Sequence, residues 1–198
     1  RPCLDAACSR RALDRFFRVL EGVERDEPGR VARVVHFGDS LIASDKISDR
    51  VRLRMQQRFG SAGRGFLMAK RFNQFQRGQR SGRGSDGWAL DAIIRSLSEL
   101  PDRHFGFSGA SFTSERAGET LVFEPGASRH LEVLFLARPG GAILDVTVGD
   151  ERLDPIDTSA PEARGAFVTR RLPEAGARLV LESRGAGARV YGVRLEAE

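Results

Sequence analysis

Gly38, Asp39 and Ser40 are the residues best suited to chemistry, in the stretch "VVHFGDSLIASD". An apolar run precedes them and a helix-forming run follows. A serine at the end of a buried strand holds its hydroxyl at the carboxyl edge of a sheet, where ligands bind in open α/β folds. Its N–H and those of the next turn then face a developing oxyanion. Gly38 permits the close backbone turn. A nucleophilic serine also needs a base, usually a histidine oriented by a carboxylate. The chain has three histidines. His36 shares a strand face with Gly38 and Ser40 and reads as a buried strand residue. His104 has Asp102 nearby to orient it. His130 opens a β-run and reads as structural. No Asp-x-x-His occurs. A catalytic histidine and aspartate are therefore not expected within these 198 residues. Cys3 and Cys8 are the only cysteines. They read either as a small-loop disulfide, which suits an oxidising compartment, or as two free thiols. They are too few for a metal site, so no metal is expected.

The elements that would position Ser40 follow from periodicity. Leu13, Phe16, Phe17 and Leu20 have helical spacing within residues 9–21, with Ser9 at the start and Gly22 at the end. "VARVVHF" (31–37) is short, β-branched and apolar, as in a strand buried on both faces. Ile47, Val51, Met55 and Phe59 then form one helical stripe, with Ser44 as N-cap and Gly60 past the end. Strand, polar turn and helix make half of a βαβ unit. Residues 61–84 hold six basic residues, no acid, many glycines and Phe66, Phe72 and Phe75. Basic residues with interleaved aromatics suit single-stranded nucleic acid. A Gly-rich surface loop with its phenylalanines tucked beneath is favoured instead, and nucleic acid is not expected as a partner. Residues 88–101 read as a helix or as a short strand and turn. From His104 onward, short β-rich runs separated by Gly, Pro and Asp turns predict an antiparallel β-sandwich or jelly roll. The expected organisation is an N-terminal helical segment (1–30), an α/β segment (31–101) and a β-sandwich (102–198).

Composition narrows the classes further. The chain is 40% hydrophobic and 30% charged, with a net charge of +5. Residues 1–90 carry 19 basic and 10 acidic side chains, whereas the remainder carries 13 and 17. Nearly all the basic residues are arginine, so the high isoelectric point is weak evidence for nucleic acid. No run of 18 apolar residues occurs, so no membrane-spanning helix is expected.

"HFGDSLIASDKISDRVRLRMQQRFGSAGRGF" resembles the first block of the SGNH, or GDSL, hydrolases. It is similar in particular to a bacterial envelope subgroup that includes peptidoglycan O-acetylesterases. In some of these a carbohydrate-binding-like β-sandwich interrupts the hydrolase domain, and residues 104–198 look like that insert. The resemblance implies that Ser40 is the nucleophile and a backbone oxyanion donor. It implies that Asp39 shapes the turn beside it. It implies an esterase acting on O-acyl groups of a cell-envelope or extracellular glycan, without a cofactor. The protein would be periplasmic, envelope-bound or secreted, and the rest of the hydrolase, with its base, would follow Glu198. Two alternatives stand beside this expectation: a non-catalytic glycan-binding or scaffold protein, and an O-acyltransferase using the same serine.

Overall fold

The computed structural model describes residues 3, 5–8, 11–72, 81–93 and 104–197, with only the backbone at Ser40 and Ala43. The chain divides into two compact units, Arg1–Ala62 and Gly63–Glu198.

The first unit is helical. A disulfide joins Cys3 to Cys8, with their Cα atoms 4.9 Å apart. Helix α1 spans Asp14–Glu24 and buries Leu20 and Gly22. It runs through Gly22 rather than stopping there. The Arg25 N–H still reaches the Glu21 carbonyl, and Arg25 pairs with the Glu21 carboxylate at 2.9 Å. The expected cap Ser9 lies outside the described residues. Helix α2 is one turn, Ser40–Ala43, and helix α3 spans Lys46–Phe59. Ser44 does not cap α3. Its hydroxyl donates back to the Leu41 carbonyl at 2.8 Å. The residue before α3 is Asp45, in the left-handed region at φ 57°, with its buried carboxylate held by Arg52 at 3.0 Å. Gly60, at φ 83°, ends the helix and donates to the Gln56 carbonyl. Arg58 on α3 pairs with Glu24 on α1 at 2.9 Å.

The strand expected over 31–37 does not form. Residues 31–38 have no regular structure, and Val34, Val35 and Phe37 are exposed. A strand needs a neighbour to take its N–H and C=O groups. Among the described residues, the first unit contains no strand to supply one. Among the described residues the strand–turn–helix of the expected α/β half is therefore not formed, and the all-β half is present.

The second unit is an antiparallel β-sandwich. Its strands are β1 (Gly65–Met68), β2 (Arg83–Gly84), β3 (Trp88–Ala92), β4 (Ala110–Ser114), β5 (Thr120–Phe123), β6 (His130–Ala137), β7 (Ile143–Val148), β8 (Glu151–Asp157), β9 (Arg164–Arg171), β10 (Leu179–Ser183) and β11 (Arg189–Glu196). The larger sheet has the order β3-β4-β11-β6-β9, with β1 also paired to β11. The smaller has the order β2-β5-β10-β7-β8. Alternation decides which side chains meet between the sheets. On β6, Leu131, Val133, Phe135 and Ala137 point into the core. The smaller sheet contributes Leu144, Val146 and Val148 of β7, Leu179 and Leu181 of β10 and Leu121 and Phe123 of β5 to the same core. Residues 88–92 take the strand rather than the helix, because every residue of β3 pairs with β4, from Trp88↔Ser114 to Ala92↔Ala110. Residues 94–100 lie outside the described set. In the basic Gly-rich stretch, β1 and β2 join the two sheets, and the Phe72 ring packs on Phe112 at 6.4 Å. Phe75 falls outside the described residues.

One buried carboxylate ties the β2–β3 turn to β5. Glu119 accepts from the Ser85 hydroxyl, from the Gly87 N–H at 3.0 Å and from Arg116 at 2.6 Å. The Ser85 hydrogen bond does most to hold its pKa below the ordinary glutamate value, helped by the Gly87 N–H and Arg116 and opposed by burial. A depressed pKa means the folded state favours the ionised form. That stabilisation is complete above the ordinary glutamate range and is lost as pH falls through the lower, folded value. Asp145, held by Arg184, and Asp157, held by the Ser159 N–H, are shifted the same way. Melting temperature is therefore expected to fall from pH 5 toward pH 3. Glu119→Gln should lower it at pH 7 and flatten, without abolishing, the acid slope. A variant slope as steep as the parent's would show that Glu119 does not contribute.

Candidate functional site

The sequence points first to Gly38, Asp39 and Ser40, and the structure gives them a local role. The Asp39 carboxylate accepts the Leu41 N–H at 2.9 Å, an Asx turn that starts α2. Ser40 is the first residue of α2. A Cβ at Gly38 would lie 2.4 Å from Ile42 Cγ1, so the glycine there admits the Ile42 side chain. No strand leads into the turn. The nucleophile geometry rested on that strand. His36 is exposed, and His130 opens β6 in the other unit. The His104 carbonyl accepts from the buried Arg189 guanidinium at 2.8 Å. Asp102 lies outside the described residues. The resemblance to an SGNH-type serine esterase is thereby corrected, and the acyl-ester substrate goes with it: the half βαβ unit that defines such a site does not form. Among the described residues no cluster of three or more His, Cys, Asp or Glu side chains is placed to hold a metal.

A different surface brings functional groups together. It is the outer face of the larger sheet, over β1, β11, β6 and β9. Val193 and Leu195 of β11 point into the core, so Arg194 and Glu196 point out. The same alternation turns His130, Glu132 and Leu134 of β6 outward, and Phe167, Thr169 and Arg171 of β9 with them. Register aligns these residues in rows across the strands. One row runs Phe66↔Arg194↔Glu132↔Thr169. The next runs Met68↔Gly192↔Leu134↔Phe167.

Charge and shape are fixed within these rows. Arg194 donates to Glu132 at 2.8 Å and lies 3.4 Å from Glu196. Glu132 is buried at its base, so the pair is held rather than free in solvent. His130, Leu131, Glu132, Thr169, Arg194 and Glu196 line a shallow cleft of about 100 Å³. Beside it, Phe167 is 64% exposed, although its strand neighbours Ala166 and Val168 pack against the core. On the far side of Arg194 the Phe66 ring lies over β11. A Cβ at Gly192 would sit 2.8 Å from Phe66 Cε2. Phe107 meets Phe66 edge-on, with ring centroids 5.7 Å apart.

Of these face residues only Phe66 was weighed as a binding group from the sequence, and there for nucleic acid. The signal was in the alternation of "RGAFVTRR", where an aromatic occupies the polar phase of an otherwise conventional edge strand. The pairing of Arg194 with Glu132, 62 residues away in sequence, had no local signal.

No protein family profile matches the chain, and no curated protein matches it. Among solved structures it is similar to a family 6 carbohydrate-binding module, at 11% identity over 66% of this chain and 92% of that one, with a TM-score of 0.44. The C-terminal family 6 module of a marine laminarinase from Zobellia galactanivorans matches at 10% identity over 66% and 97% of the two chains, with a TM-score of 0.42. A family 6 module from Clostridium stercorarium in complex with cellobiose matches at 12% identity over 67% and 93%, with a TM-score of 0.43. These likenesses are loose, and the ligand assignment below rests on the face itself.

Proposed function

We propose that the chain is a non-catalytic glycan-binding protein whose second unit holds sugar on the outer face of its larger sheet. One observation carries the proposal: a largely exposed phenylalanine, Phe167, stands beside a cleft whose walls are the fixed pair Arg194–Glu132 together with Glu196 and Thr169. A sugar ring has an apolar C–H face and a rim of hydroxyls. An exposed aromatic ring matches the first. An immobilised guanidinium and carboxylate match the second through charge-assisted hydrogen bonds. A lone surface phenylalanine would need no explanation. Phe167 differs because the polar groups next to it are partly buried and already oriented. The disulfide between Cys3 and Cys8 suits an oxidising compartment, so the glycan is assigned to the cell envelope or extracellular space. No helix among the described residues is long and apolar enough to cross a membrane.

Electrophoresis of the full chain through native gels cast with soluble polysaccharides tests this directly. Retardation in at least one glycan gel, relative to a gel without polysaccharide, is the expected result. Equal mobility across β-glucan, chitosan, xylan and solubilised peptidoglycan gels would reject the reading.

A further inference from the structure

The aromatic groups of the outer face stand at its two ends, not at one point. Phe167 lies on β9, and Phe66 with its partner Phe107 lies at β1. β11 and β6 come between. The Phe66 ring reaches from β1 over Gly192 of β11, so about two interstrand gaps, or roughly 10 Å, separate it from β9. A single six-membered sugar ring is too short to touch both ends. The ground between them is not apolar: it is the row Arg194–Glu132–Thr169, with half-buried Leu134 in the adjoining row. The face thus reads across the strands as aromatic ring, fixed hydrogen-bonding groups, aromatic ring. Phe107 is 55% exposed.

We propose that this face takes an internal stretch of a glycan chain, several sugar units long, laid across β9, β6, β11 and β1 with one ring on Phe167 and another on the Phe66–Phe107 pair. The inference rests on the glycan-binding reading above and adds the ligand's length and direction. It excludes recognition of a terminal sugar alone. A ligand of that length has hydroxyls for Arg194 and Glu132 at its middle and apolar ring faces for both ends. Each additional unit gains contact until the second aromatic group is reached.

Calorimetric titration of the full chain with β-1,4-linked glucose and N-acetylglucosamine oligomers of one to six units reads this out. Affinity for the series that binds is expected to rise tenfold or more between the monosaccharide and the longer oligomers, then level off. Phe107→Ala should reduce the affinity for the longest oligomer toward that of the short ones and leave the short-oligomer affinity unchanged. Phe66→Ala should likewise reduce the affinity for the longest oligomer, with a thermal melt of the variant as its folding control. Equal affinity for the monosaccharide and the hexamer would overturn this proposal while leaving glycan binding intact. So would a Phe107→Ala variant with parental affinity at every length. Binding of neither series counts against the glycan reading itself, and this proposal falls with it.

Discussion

Phe167→Ala is expected to weaken glycan binding at least about tenfold and to leave the melting temperature of the second unit almost unchanged. The two halves of that expectation come from the same number. Phe167 is 64% exposed, so the folded state gains little from its ring. Surface truncations of this kind usually stay within about 0.5 kcal/mol of the parent. In a complex the ring would be covered by a sugar face. Covering roughly 60 Å² of its apolar surface contributes about 1.5 kcal/mol at about 25 cal/mol per Å², and about 1.4 kcal/mol is tenfold in affinity. Affinity and stability are thereby decoupled at this position. Titration with a bound oligosaccharide, run beside a thermal melt, checks both. Glu132 is the contrasting case. Its carboxylate is buried at the base of the cleft and pairs with Arg194, so changing it strips a charge partner from a half-buried guanidinium. A loss of binding there would not separate contact from damage.

Phe112→Ala should produce the largest loss of stability of any single change considered. Phe112 lies on β4 with 1% of its surface exposed and belongs to the core cluster to which both sheets contribute. Its ring also anchors Phe72, from the Gly-rich stretch. Truncating a fully buried phenylalanine removes its transfer free energy and leaves a cavity, which together cost about 3–5 kcal/mol. For a unit of this size that is roughly 10–15 °C in melting temperature. Thermal unfolding monitored on Trp88, buried on the neighbouring strand β3, measures it. A midpoint within a degree of the parent's would mean that the two sheets do not pack through β4 as described.

The sandwich was legible in the sequence where a strand has one buried and one open face. "HLEVLFLA" and "ILDVTV" alternate, and they are β6 and β7. Of the strands before residue 104, β3 was open as one of two readings and β1 and β2 were not legible, because their partners are distant. Phe66 pairs opposite Arg194, and Trp88 opposite Ser114. Nothing within a short window marks "GFLM" as a strand of a sheet whose centre lies more than a hundred residues on. Residues 31–37 failed for the opposite reason. Apolar, β-branched composition describes what a strand prefers once a neighbour exists. It does not supply the neighbour, and in the first unit Val34, Val35 and Phe37 stand exposed. The reading of Ser40 as a nucleophile depended on that strand and is lost with it. What survives at Gly38-Asp39-Ser40 is the turn: Asp39 caps, and Gly38 makes room for Ile42. The binding face illustrates a third limit. Alternation assigns Phe167 to the outside, but only register shows that Arg194 and Glu132 stand in the next row.

The central claim is that sugar binds across the outer face of the larger sheet. Backbone amide shifts of the labelled full chain, recorded during titration with the glycan that retards it in gels, locate the contact. The largest changes are expected at Glu132 and Leu134 on β6, Phe167 and Thr169 on β9, and Gly192 and Arg194 on β11, with smaller ones at Phe66 and Phe107. Changes confined to the smaller sheet, to the loops joining the sheets or to residues 1–62 would contradict the assignment of this face.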